Sequence, residues 1–347
     1  MKIGVVGGGV IGLAVMRELL RLDIHEVRCF EMARPMGARS AGDARIFRYF
    51  HHNVDLVDRA RKARRMWDEW SQACDRQLLG SEGLLVSDPL AESRAQVLRA
   101  AGVAVEVFDD TDLLASVSSR PDLGPFLFDP SAGVIDAAGT GAYLRWCAER
   151  YITRSYVKRV DLDDAGNPVI WTESEMWHCD AVLITAGAGT SALAWALDIV
   201  KPSELHHHVR LTFRLRNPHA RPPCWFDDRL AWRSDFDTYC QSVRRGYYSI
   251  GAHLPAAQTQ WALGADAVAK TTRRIVGTYV EEVLDGLDPM PVEEVRCDFN
   301  TDSDGYFASR KGPVLVFWGE TLFKFAPLLG RELASALLTE SAPDTPT

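Results

Sequence analysis

The residues with chemistry to offer lie far apart in this 347-residue chain. Near the N-terminus, Gly7, Gly9 and Gly12 form a G-x-G-x-x-G pattern, and Glu31 follows roughly 20 residues later. Arg45 and Arg48 stand three apart in GDARIFRYF. Lys324 sits in TLFKFAPLL, His253 in YYSIGAHLP and Cys297 in RCDFN. Arginine is seldom fully buried without a partner, so two arginines among bulky apolar residues ask for an anion. Their spacing puts both guanidinium groups on one side of a helix turn, or close together on a tight loop. The glycine pattern has an explicit mechanism. Gly7 makes a tight turn, Gly9 admits a pyrophosphate close to the backbone, and Gly12 packs a helix on a sheet. The helix opening at Val10 and Ile11 aims its N-terminus at the phosphates. Glu31 can accept hydrogen bonds from ribose hydroxyls.

These residues need particular elements to hold them. Lys2–Val6 is a short β-branched run bounded by glycines and predicts a buried parallel strand. A helix to about Leu22 and a strand EVRCFE ending at Glu31 complete a βαβ opening. VDLVDRARKARRMWDEW has helical periodicity, with Val54, Leu56, Val57, Ala60, Ala63 and Trp67 largely on one face. EGLLVSD predicts a strand, and SRAQVLRAAGVAVEVFD a helix then a strand. SYVKRVDLDDAGNPVIWTESEMWHCDAVLITAGAGT is the clearest β stretch, with a turn cluster at 164–168. Its last strand ends in a second glycine turn at Ala186 and Gly187. More strands and one long helix follow from about 200 to 295, and the C-terminal region predicts strand, loop and helix. Nucleotide-type elements thus lie at both ends of the chain. The division expected is 1–80, 140–200 and 295–347 for a discontinuous cofactor domain, with 81–139 and 201–294 for a substrate domain.

Composition narrows the class. A chain that is 47% hydrophobic and 25% charged is an ordinary globular sequence, long enough for a core without disulfide staples. A net charge of −8 and the lack of a basic run argue against nucleic acid as a partner. No apolar run reaches the roughly 20 residues of a membrane span. Seven cysteines, an odd number without C-x-x-C, argue against a disulfide framework or zinc ribbon and for a reducing cytoplasm. Consecutive histidines at 206–208 alternate faces on a strand, so His206 and His208 alone could share an ion. No acidic or thiol partner is evident, and they read as polar strand residues at a domain junction; no metal is expected.

The glycine fingerprint by itself does not separate NAD from FAD. LITAGAGTSAL, a strand ending in a glycine turn late in the chain, resembles the second strand-turn of FAD-dependent oxidoreductases. With GVVGGGVIG and Glu31, GDARIFRYF with its following helix, EGLLVSD, and RCDFN with LFKFAP, the whole chain resembles the amine oxidases of the D-amino-acid-oxidase superfamily. Within it, the monomeric sarcosine oxidase and N-methyltryptophan oxidase branch is the most similar. The resemblance implies an α/β (overall α+β) protein: a Rossmann-like FAD domain plus a substrate domain built on an antiparallel sheet. It implies oxidation of the C–N bond of an amino acid, with dioxygen reoxidising the flavin to give hydrogen peroxide, in a monomer. It matches Cys297 to a cysteine bonded covalently to FAD. It matches Arg48 and Lys324 to a pair binding the substrate carboxylate, Arg45 to an arginine beside the flavin, and His253 to an active-site histidine. Arg39, Ser40, Ala186, Gly187 and Lys324 fall among the cofactor-contacting positions.

Three departures from that pattern matter. Ser249 falls where the family places a lysine thought to activate dioxygen, which leaves Lys158 or Arg244 as cations that could act from elsewhere. Glu320 and Leu322 replace small residues ahead of Lys324, and Arg39 and Ala41 replace residues that are commonly small or histidine. These changes argue for a secondary or cyclic α-amino acid larger than sarcosine, in specialised biosynthesis. The alternatives are a flavin-dependent dehydrogenase using an acceptor other than dioxygen, and a non-catalytic dinucleotide-binding protein.

Overall fold

The computed structural model describes residues 1–51, 53–120, 122–199, 204–229, 236–300 and 305–339. The first elements are β1 (Ile3–Val6), α1 (Val10–Arg21), β2 (Val27–Glu31), β3 (Ala44–Phe47), α2 (Val54–Ala73) and β4 (Leu84–Ser87). Next come α3 (Ala91–Ala100), β5 (Glu106–Phe108), β6 (Phe126–Asp129), β7 (Gly133–Asp136), α4 (Ala137–Ala148) and β8 (Ile152–Arg154). They are followed by β9 (Val157–Leu162), β10 (Pro168–Thr172), β11 (Met176–His178), β12 (Ala181–Ile184), α5 (Thr190–Trp195) and β13 (Leu205–Arg214). The remainder is β14 (Cys224–Asp227), β15 (Asp237–Arg244), β16 (Tyr247–His253), α6 (Ala265–Val283), β17 (Glu293–Asn300), β18 (Tyr306–Lys311), β19 (Val314–Gly319) and α7 (Ala326–Thr339).

The first sheet has six strands in the order β18-β19-β12-β1-β2-β8. It is parallel apart from β18, which runs antiparallel to β19. Both faces are covered, and strand alternation divides the side chains between two cores. Ile3, Val5, Leu183, Leu315 and Phe317 pack with α1 and α7. Val6, Val182, Ile184, Val316 and Trp318 pack on the other side with Val160 and Ile170 of the three-stranded sheet β11-β10-β9. The helix α2 buries Leu56, Val57, Ala60, Ala63, Trp67 and Trp70. Val54, expected on that face, is exposed in the first turn. Asn53 caps this helix, accepting a 2.7 Å hydrogen bond from the Asp55 amide.

The second sheet has eight strands, β17-β13-β16-β15-β14-β4-β6-β5, antiparallel except where β14 meets β4. One face is apolar. Val209, Leu211, Phe213, Trp225, Cys240, Tyr248 and Ile250 pack with Ile275, Val276, Tyr279 and Val280 of α6. Burying each large apolar side chain contributes about 1.5–3 kcal/mol, which fixes the register of every strand. The opposite face is left to the intervening residues; on β13, β15 and β16 these are largely polar or aromatic, while on β4 and β6 Leu84, Val86 and Leu127 join the other core. At one point this face needs a glycine. A Cβ on Gly251 would lie 2.2 Å from Cζ of the cross-strand Tyr239.

The mixed α/β build, with a parallel Rossmann-like sheet and a mostly antiparallel second sheet, is the fold class expected from the sequence. The observed changeover near the C-terminus differs from the sequence division. Glu293–Asn300 hydrogen-bonds to β13 in the eight-stranded sheet, so Cys297 belongs to that sheet and the return to the parallel sheet begins with β18. No described helix is long and apolar enough to cross a membrane.

Candidate cofactor and substrate site

Two glycine turns meet at the carboxyl ends of β1 and β12, where the strand order reverses on either side of β1. That crevice is where open parallel sheets bind ligands. Gly7 has φ +105°, and a Cβ there would lie 2.4 Å from the Thr185 carbonyl. The Ala186 turn therefore abuts the Gly7 turn directly. A Cβ on Gly12 would lie 2.0 Å from the Gly7 carbonyl, so the helix starts hard against the turn. Gly9 precedes α1 as its cap residue and carries no side chain to cover the helix end. Ser40 Oγ accepts a 3.0 Å hydrogen bond from the Val10 amide. The amides of Ile11 and Gly12 belong to the first turn, which has no acceptors inside the helix. Glu31 ends β2 with its carboxylate held by the Gly8 amide at 2.8 Å and the Ala33 amide at 2.9 Å. A carboxylate has roughly four acceptor positions, so these bonds orient Glu31 and leave acceptor capacity for ribose hydroxyls. A dinucleotide with a pyrophosphate fits this cradle.

Arg45 and Arg48 do not share a helix turn. Ala44–Phe47 is a strand paired antiparallel with β7, so Arg45 lies in extended chain and Arg48 follows directly after the strand's end. The correction divides the pair. Arg45 donates to the carbonyls of Ala44 and Arg39, each at 2.7 Å, and to that of Ala41. Its guanidinium carbon lies 5.4 Å from the centre of the Phe323 ring. Arg48 donates to the Phe50 carbonyl and lies 5.0 Å from the Phe226 ring centre. Lys324 occupies the 3₁₀ turn Leu322–Phe325 and is 3% exposed. Its ammonium donates to the Thr321 carbonyl at 3.2 Å, and the Lys324 carbonyl accepts a 2.8 Å hydrogen bond from Trp67 Nε1. The segment carrying the arginines packs along this turn through Arg45–Phe323 and His51–Phe325, the latter with ring centres 5.8 Å apart. Residues from opposite ends of the chain thus meet at one junction.

The polar face of the eight-stranded sheet faces Arg45 and Arg48 through Tyr239's strand and Phe226. Register places Cys297 opposite His208, Arg210 opposite Gly251, and Gly251 opposite Tyr239. His208 bridges this face. Its Nε2 is 3.1 Å from the Tyr239 hydroxyl and its Nδ1 is 3.5 Å from Cys297 Sγ. The sequence reading set the three histidines aside together. His206 bonds Thr259 Oγ1 at 2.8 Å, His207 stacks on Trp261, and His208 belongs to the site. Tyr239 and Arg210 were also missed. Their signal was present as alternation. His206, His208, Arg210 and Thr212 alternate with Val209, Leu211 and Phe213, and Asp237, Tyr239 and Gln241 alternate with Cys240. His253 stands at the rim, exposed, with Nδ1 on Asp237 Oδ1 and its ring 5.2 Å from that of Tyr239.

Positive charge dominates the junction. Burial pushes the Arg45 pKa down to about 9, and neighbouring Arg210 pushes the same way, which still leaves it charged at neutral pH. His208 is pushed down to about 3 by burial, with His253, Arg210, Arg45 and Arg39 acting in the same direction. Burial raises the Cys297 thiol, against the pull of Arg210, Arg45 and Arg39 toward thiolate. Ser249 is buried beside Thr212 and Gln241 on the adjacent strands. The two cations named as able to act from elsewhere have other surroundings. Lys158 is exposed in the three-stranded sheet, and Arg244 is exposed and paired with Asp43 and Glu293. The departures Arg39 and Glu320 form an ion pair with each other.

A phosphate cradle at parallel strand ends, facing a polar sheet through a ring of cations, defines a dinucleotide-dependent protein of two-sheet build. The chain matches the FAD dependent oxidoreductase family, DAO, over residues 2–336, and it belongs to that family. The cradle described above fits FAD. No curated protein matches the sequence. Among solved structures, a mutant of NikD, an unusual amino acid oxidase essential for nikkomycin biosynthesis, superposes in its open form with a TM-score of 0.86. It shares 20% identity, covering 100% of this chain and 98% of that one. The iminodiacetate oxidase IdaA from Chelativorans sp. BNC1 gives 0.79 at 15% identity, over 98% of this chain and 96% of that one. L-proline dehydrogenase from P. horikoshii gives 0.78 at 14% identity, over 99% and 95%. At these identities the likeness is one of fold.

Proposed function

We propose that the protein is an FAD-dependent amine oxidase that oxidises the C–N bond of a secondary or cyclic α-amino acid, within the sarcosine-oxidase-like branch of its family. What supports this reading is that the segment carrying Arg48, which lies against Phe226 of the polar sheet face, packs through Arg45–Phe323 and His51–Phe325 along the turn that carries buried Lys324. A guanidinium fork and an ammonium suit one carboxylate and fix its orientation. Holding the acid end sets the α-carbon at a defined place, and such positioning gives much of an enzyme's rate. When bound, FAD supplies the acceptor for a hydride and passes the electrons to dioxygen. Arg45 contributes positive charge at that acceptor and favours a neutral substrate amine. Phe226, Tyr239 and His208 exclude water and offer flat surfaces to a ring-bearing substrate. Glu320 is neutralised by Arg39, so the case for a substrate larger than sarcosine rests on Leu322 and this aromatic face. A structural neighbour serving nikkomycin biosynthesis supports a role in specialised metabolism. Covalent attachment of the flavin through Cys297, a monomeric state and a cytoplasmic location belong to the same proposal, as does the division into cofactor and substrate domains with β17 moved to the latter.

A peroxide assay across N-methylated and cyclic amino acids tests the reading. Peroxide with at least one of them is expected; flavin that no amine reduces would overturn it. A second reading is favoured by Ser249. If electrons pass to a carrier, turnover with an artificial dye far exceeds turnover in air.

A further inference from the structure

Arg210 is 8% exposed, on β13, the second strand from one edge of the eight-stranded sheet. Among the described residues the one hydrogen bond of its guanidinium is a long contact, 3.3 Å, to the Ala44 carbonyl. A guanidinium has five donors, and a buried charge without an anion is costly. Arg45 makes the cost larger. A methyl group on Gly42 would lie 3.3 Å from a guanidinium nitrogen of Arg45 and 3.4 Å from one of Arg210, so the two cations flank one point. Like charges this close, in a buried place, call for an electron-rich partner between them.

The loop 39–41 shows which part of a dinucleotide that partner is. Ser40 faces the N-terminus of α1 at the phosphate cradle, while the carbonyls of Arg39 and Ala41 hold Arg45. The arginine pair therefore lies beyond the phosphates, toward Tyr239 and Cys297. Arg210 also stands next to Ser249's strand, two residue pairs along from the Thr212–Ser249 pair and therefore on the same sheet face. We propose that Arg210 is a second cofactor-site cation, which with Arg45 sets a positive potential over the isoalloxazine of FAD from the substrate-sheet side. It supplies the positive charge that Ser249 does not. This rests on the FAD-dependent reading above and adds to it a specific electrostatic role. Arg48 and Lys324 keep the substrate carboxylate; Arg210 addresses the ring.

Sulfite tests this without turnover. It adds reversibly to oxidised flavin and bleaches its visible absorption, and positive charge near the ring tightens it. The purified holoprotein is titrated with sulfite as wild type, Arg210→Gln and Arg210→Lys. Removing one buried charge is expected to weaken sulfite binding about 10-fold or more in Arg210→Gln, with Arg210→Lys restoring most of the loss. Loss of flavin from Arg210→Gln but not from Arg210→Lys supports the assignment as well, because the two differ in charge. An unchanged sulfite affinity in flavin-loaded Arg210→Gln overturns it. So does flavin loss from both variants, which indicates a packing role. A raised substrate KM with unchanged sulfite affinity also overturns it and assigns Arg210 to substrate binding. If the wild type itself carries no flavin, the failure lies with the FAD-dependent reading instead.

Discussion

Arg45 and Arg48 are three residues apart yet meet different neighbours: Arg45 lies in strand β3 against Phe323, and Arg48 follows the end of that strand. Arg48 lies against Phe226 on the substrate sheet. Replacing it by Gln is expected to raise KM by about 10- to 100-fold, the value of a lost charged hydrogen bond; an unchanged KM would remove Arg48 from carboxylate binding. Cys297 carries the proposed covalent link. Acid precipitation of the wild type is expected to leave the yellow colour in the pellet, and the Cys297→Ser protein to release it into the supernatant. Colour released from both would sink that assignment and leave the fold untouched. His208 gives a pH dependence. Its folded pKa, about 3, lies below the ordinary value of 6.5, so the unfolded chain takes up a proton first as pH falls. The stability His208 contributes is therefore complete above pH 6.5 and is lost as the pH drops from there toward 3. Thermal unfolding of His208→Asn between pH 7 and pH 4 is expected to fall less steeply, by up to about one proton in the slope. Parallel curves would contradict the buried, neutral imidazole.

Elements differ in how plainly the sequence announces them. The cradle is local: Gly7, Gly9, Gly12 and Glu31 lie within one βαβ unit, so turn chemistry and strand pattern read it directly. The polar sheet face is not local. His208, Tyr239, Gly251 and Cys297 come from four strands whose pairing register is set by the apolar face against α6. Alternation within each strand was readable, but which residues stand opposite one another was not. The same limit hid the Arg39–Glu320 pair, two departures that looked independent in sequence. Likewise Arg45 and Arg48 suggested one turn, whereas Arg45 lies in a strand paired with β7 and Arg48 just beyond its end. The sheet and α6 are also tied by a buried ionic link. Arg229 grips Asp227 through two hydrogen bonds of 2.7 and 2.8 Å, and Tyr279 donates to the same carboxylate at 2.9 Å. Asp227→Ala leaves the guanidinium buried without its counter-ion. Chemical denaturation is expected to show a loss of about 3–5 kcal/mol; a loss below about 1 kcal/mol, typical of an exposed pair, would mean that water reaches the site.

At the scale of the molecule, the parallel sheet offers phosphate binding at its strand ends, and the antiparallel sheet offers a polar, aromatic wall. Neither makes a site alone. The residues that join them, Arg45, Arg48 and Lys324, sit on short segments between the two. This arrangement explains why candidate residues are scattered from Gly7 to Lys324, and why one match to the FAD dependent oxidoreductase family spans residues 2–336. It also makes the central claim directly measurable: a small amino acid held by its carboxylate gives up two electrons to the flavin. The visible absorption spectrum of the holoprotein, recorded without oxygen before and after adding N-methylated and cyclic amino acids, reads that event whatever the final acceptor. Bleaching by at least one of them, weakened by Arg48→Gln, is the predicted result. A flavin spectrum that none of them alters would contradict the account.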